Sequence, residues 1–107
     1  MRKITNEAVE AFVSNKNYKK NGSDHYGNKS VIMEVSSDQF MNRMWLHGNL
    51  IAVKDHVNDV LKVSLCGWNT NTTRERLNGI PGVSVSTRKG QAFLNGNPIE
   101  DNKFYII

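Results

Sequence analysis

Apolar residues near the start of the chain recur with a helical period. Val9, Phe12 and Val13 stand at i, i+3 and i+4, with Ala8 and Ala11 as small neighbours. Thr5 is a good N-cap, and Glu7 and Glu10 lie in the early turns, where the helix dipole favours acids. The spacing predicts a helix over about residues 6–16, with lysines near its end and Asn21-Gly22 as its stop. The stretch NGSDHYGNKS that follows has no apolar period, so residues 17–30 are expected to form a flexible loop.

From Val31 the period falls to two. Residues 31–35 predict a strand, and Ser36-Ser37-Asp38 has turn chemistry. Residues 39–46 continue extended, with Phe40, Met44 and Leu46 on one face and Met41, Arg43 and Trp45 on the other. His47-Gly48-Asn49 is a tight-turn signal, and residues 50–53 return as the partner strand. A turn at 55–59 leads to another strand through Val60, Leu61, Val63 and Leu65. Residues 72–78 predict a second, short helix, with Thr72 and Glu75 spaced as a capping box and Asn78-Gly79 as a left-handed stop. Val83 and Val85, a Lys89-Gly90 hairpin, Ala92-Phe93-Leu94, a turn at residues 95–98 and a last strand at 104–107 complete the chain. The fold class is α+β. One main N-terminal helix packs on a mostly antiparallel sheet, with the short helix between strands.

Composition narrows the class. The chain has 107 residues, enough for one small domain and too few for two independent cores. Fourteen asparagines take up part of the usual apolar share. No apolar run approaches the roughly 20 residues of a membrane span, and no signal segment opens the chain. The single cysteine, Cys66, excludes an internal disulfide framework and a cysteine-based metal site. A soluble protein of the cytoplasm is the expectation. The net charge of +4 is unevenly spread: both ends are basic and the middle is near neutral. If the fold brings the ends together, the patch attracts phosphates or an acidic protein.

Three segments resemble small accessory proteins encoded by tailed bacteriophages: HGNLIA at residues 47–52, CGWNTNTTRERLNGIPGVSV at 66–85 and KGQAFLNG at 89–96. The opening KITNEAVEAF at residues 3–12 is similar to theirs as well. The resemblance implies a phage gene product acting inside a bacterial host. It implies no catalytic residues.

The chemistry-bearing residues give two candidate surfaces. Lys19, Lys20, Arg43 and Trp45 are the candidate partner-binding set, because Trp45 shares a mixed strand face with Arg43 and Met41. Thr72, Thr73, Arg74, Arg76, Arg88 and Lys89 are the candidate phosphate-binding set, built around a helix start. Arg74 and Arg76 are two apart and so point about 200° from one another, one to solvent and the other over the sheet. Trp45 and Trp68, with Tyr18, Tyr26 and Tyr105, are of the type that stacks bases, but one tryptophan in so small a domain usually anchors the core, and Trp68 beside Gly67 is expected there. His25, His47 and His56 are too scattered for a metal site, and no nucleophile, base and orienter stand together. No cofactor is expected.

The resulting expectation is a non-enzymatic phage accessory protein that binds and inhibits a host or anti-phage defence protein. The alternative is a nucleic-acid-binding module that takes RNA or single-stranded DNA on Lys19, Lys20, Arg74, Arg76, Arg88 and Lys89. No membrane is expected as a partner. An exposed final strand would offer an edge for a homodimer.

Overall fold

The run Lys3–Val13 winds into helix α1, whose buried face is Thr5, Ala8, Ala11 and Phe12. The expected cap is corrected: Arg2 is the N-cap, and Thr5 lies inside the helix, fully buried. Val13, expected on the apolar stripe, is half exposed. The computed structural model describes residues 2–23 and 29–107. Within them the chain continues as β1 (Tyr18–Ser23), β2 (Lys29–Ser37), β3 (Met41–Leu46), β4 (Asn49–Asp55) and β5 (Val60–Val63). Helix α2 (Asn71–Asn78) follows, then β6 (Val85–Arg88), β7 (Gln91–Leu94), β8 (Asn97–Ile99) and β9 (Tyr105–Ile106).

The result is the expected α+β class, in a single small domain. A six-stranded antiparallel sheet has the order β1-β2-β3-β4-β5-β9, and a separate three-stranded sheet has the order β6-β7-β8. The loop expected over residues 17–30 is corrected. Tyr18–Ser23 are a strand, because β2 offers them a full antiparallel partner running from Tyr18↔Val35 to Ser23↔Lys29. Residues 24–28 lie outside the described part.

Strand β3 fixes the two faces of the large sheet. Asn42, Met44 and Leu46 are buried, while Met41, Arg43 and Trp45 are half-buried. Asn42 donates through Nδ2 to the Phe12 carbonyl at 2.8 Å, so the buried face is the one under α1. Phe40, expected beside Met44 and Leu46, is instead exposed ahead of the strand, and Asn42 takes the third inward place. That asparagine spends its amide on Phe12 and Asn15 at the end of α1, and its Oδ1 faces His56 Nε2 at 3.0 Å. Since Oδ1 can only accept, His56 carries its proton on Nε2.

On the inner side, α1, α2 and the three-stranded sheet share one core with the large sheet. Phe12, Met33, Met44, Leu65, Leu77 and Leu94 belong to it. Two-residue turns with positive φ at both positions close the hairpins at His47-Gly48, Lys89-Gly90 and Asn95-Gly96.

Candidate functional site

Two surfaces concentrate the candidate residues. The first is the outer face of the six-stranded sheet. Alternation along the strands sets side chains there in rows: Lys19, Glu34, Trp45 and Leu50 across β1 to β4, then Ser36, Arg43, Val53, Lys62 and Ile106 across β2 to β9. Trp45, Leu50 and Val53 are half-buried, and Ile106 is 67% exposed. Both helices pack on the opposite side. Lys19, expected on a separate basic loop, therefore shares one face with Arg43 and Trp45. Lys20 does not join them: it follows the parity of Tyr18, whose hydroxyl reaches Glu7 of α1 at 3.4 Å. Arg43 also leans toward Asp38, at 3.8 Å.

The second surface is a cleft of about 470 Å³ between the β3–β4 turn, the segment after β5 and the start of α2. Leu46, Ile51 and Leu65 form its apolar floor, and Trp68 forms a wall. Trp68 is 57% exposed, which corrects its expected place in the core. Cys66 and Gly67 both have positive φ, and this turn carries the indole outward rather than down the line of β5. His47, Asn49 and Thr72 bring polar atoms to the rim. Thr70 is the helix cap, accepting from the Thr73 N–H at 3.2 Å, so the expected Thr72–Glu75 capping box does not form. The Thr70 and Thr73 hydroxyls also bond one another at 3.0 Å.

The rest of the phosphate-binding set divides. Arg74 stays at the surface, its guanidinium held by the Oδ1 atoms of Asn69 and Asn71. Asn69 also donates to Thr87 at 3.2 Å, tying the start of α2 to the hairpin that presents Arg88 and Lys89. Arg76 is buried, 3% exposed, and pairs with Glu75 and the Thr5 hydroxyl. It is a core residue and offers nothing to an external phosphate. Gly79 is right-handed, not the left-handed stop expected; Asn78 instead bonds both the N–H and the carbonyl of Val85, lashing α2 to β6.

Burial pushes the Glu75 carboxyl up. Donation from the Thr5 hydroxyl, the Arg2 N–H and Arg76 outweighs it, so the group ionises below the ordinary glutamate range. His25 and Tyr26 lie outside the described residues. Among the described residues, no group of three or more His, Cys, Asp and Glu side chains is placed to hold a metal ion. No helix there is long and apolar enough to cross a membrane.

With this geometry in place, comparison with known proteins adds one finding. A protein-family model described as Kyanoviridae Gp96 protein matches residues 1–106. The chain belongs to this family. It is a cyanophage family, so the resemblance to phage accessory proteins is borne out across nearly the whole chain. No curated protein and no solved structure matches.

Asn49, Asn69 and Thr70 did not stand out in the sequence as site residues. One signal for the cleft was nevertheless present. Cys66-Gly67 is the same residue-then-glycine pair that makes the three hairpin turns, and it marks Trp68 as a residue leaving a strand.

Proposed function

We propose that this phage protein works by occupancy: it binds a host or anti-phage defence protein inside the infected cell and inhibits it without catalysis. The observation that supports this reading is the outer face of the six-stranded sheet, where Trp45 sits among Leu50, Val53, Arg43 and Glu34 and neither helix of the described residues covers it. Aromatic and arginine side chains at the centre of a patch are the usual anchors of protein interfaces. Six strands spaced about 4.8 Å apart give a platform roughly 24 Å wide. That supplies the centre of an interface, and Lys19 and the strand ends would supply the rim needed to reach about 800 Å² per partner. The charges on the face have mixed sign, which suits a protein partner better than a polyanion.

Nucleic-acid binding through one basic patch has less behind it. Arg76 is buried, and Lys19 and Lys20 stand on β1, three strands from the β4 against which α2 packs.

The test is capture from host lysate, with nuclease present, by the tagged wild-type chain and by Trp45→Ala and Arg43→Glu variants of matched thermal stability. The expected outcome is one defined protein retained by the wild type and lost, at least about tenfold, by each variant. Equal retention by all three removes the sheet face as the binding surface.

A further inference from the structure

The cleft at the start of α2 is independent of the sheet face, and its lining is specific about what it can hold. Its floor of Leu46, Ile51 and Leu65 is apolar, and the Trp68 indole stands beside it more than half exposed. A flat ring slid against that indole would cover it. Among the described residues the lining includes no Asp, Glu, Lys or Arg, so an ion finds no permanently charged partner there. A plain hydrocarbon ring fits no better, because it would strip water from His47, Asn49 and Thr72 and give nothing back. The occupant that matches both features is a neutral planar ring with hydrogen-bonding edges. The volume, about 470 Å³, is in the range of small-molecule sites.

We propose that this cleft binds a nucleobase, stacked on Trp68, with its polar edge met by Asn49 and Thr72. The arrangement outside the mouth agrees. Arg74 is fixed there by Asn69 and Asn71, and Asn69 draws in the hairpin of Arg88 and Lys89. A sugar-phosphate leaving the cleft along the start of α2 would run toward these cations. Arg74, Arg88 and Lys89 thereby acquire a use that needs neither Arg76 nor β1.

The test is calorimetric titration of the full chain with adenosine, guanosine, cytidine and uridine in turn, and with N-acetylphenylalanine amide as the hydrocarbon-ring control. At least one nucleoside is expected to bind at a single site in the high micromolar to millimolar range, and the control is not. Trp68→Ala is expected to weaken binding by about five- to a hundredfold, the worth of one stacked base. Because Trp68 is exposed, that variant folds, and an unchanged melting temperature verifies it. Thr72→Val, which keeps the shape and removes the hydroxyl, is expected to weaken binding severalfold. A short single-stranded DNA then distinguishes the source of the base. Tighter binding than the nucleoside, with an excess that falls as salt rises, assigns the base to a strand; equal affinity assigns it to a free nucleoside. The proposal is overturned if no nucleoside binds up to about 10 mM, a tenfold weaker affinity than 1 mM. It is equally overturned if Trp68→Ala binds undiminished, or if the phenylalanine amide binds as well as the nucleosides.

Discussion

Arg76 carries a guanidinium into the interior, and its neighbours show how the chain tolerates it. Thr5 donates to Glu75 Oε2 at 2.5 Å and accepts from Arg76 Nη1 at 2.6 Å, while the Arg2 N–H reaches Glu75 Oε1 at 3.2 Å. Arg76 Nε is buried with no partner among the described residues. Replacing Glu75 by Gln therefore leaves a buried cation without its countercharge. Glu75 is itself about one-quarter exposed, so the expected loss is about 2–3 kcal/mol, below the 3–5 of a fully buried pair. The pH dependence has a definite sign. A carboxylate whose folded-state ionisation lies below its unfolded value adds stability that is complete above the ordinary glutamate range, about 4.3, and is lost as pH falls below it. Urea unfolding at pH 7 and pH 3 checks this: the gap between wild type and Glu75→Gln is expected to narrow at the lower pH. The sequence alone indicates that Arg74 and Arg76 face apart. It does not indicate which one goes inside, because that depends on Thr5, which reads locally as a cap and serves instead as a tertiary partner.

Among the elements, those with their own period are legible in the sequence, and those defined by a neighbour are not. Strands β2 to β5 alternate or cluster their apolar residues, and α2 lies within one residue of its expected start. The segment YKKNGS has no such signal; it becomes β1 only because β2 presents a long unpaired edge to it. The same dependence hid β8, where Asn97–Ile99 pair with β7 although Pro98 reads as a turn residue. Pro98 is allowed because β8 is an edge strand. The tight turns are legible from their glycines, and two of these isolate the backbone contribution. A Cβ built on Gly48 or Gly96 meets nothing within 4 Å, yet both have positive φ, +81° and +86°. Gly48→Ala and Gly96→Ala are therefore expected to destabilise by similar amounts, about 1 kcal/mol each. Thermal melts check this, and a loss several times larger at one turn would point to a contact rather than conformation.

At the scale of the whole molecule, the large sheet has two edges, and they are protected differently. β1 carries Lys19 and Lys20, charges that discourage another strand from adding. β9 ends the other side with only Tyr105–Ile106 in its ladder, paired with Lys62 and Val63. So short an edge is a weak template, whatever the exposure of Ile106. The chain is accordingly expected to be monomeric at micromolar concentration, which light scattering after size exclusion measures directly. A dimer that dissociates on Ile106→Lys would show that the final strand recruits a second copy. How the two candidate surfaces came together is legible only in part. Sequence alternation places Arg43 and Trp45 on one face, but the addition of Lys19 required β1, and the cleft required an exit turn at Cys66-Gly67.

The Thr5–Glu75 bond joins residues 70 apart, and this sets a timetable. A ribosome emits α1 long before it emits α2, so every growing copy passes through a stage in which Thr5 and its helix lack their partners on α2. Contacts so distant along the chain close late, and chains waiting for them are the ones that stick to one another. In a cell translating many copies at once, the dangerous interval closes only when the stretch encoding α2 has been read. A stop placed before the codon for Glu75 would yield an aggregate instead of a smaller working protein.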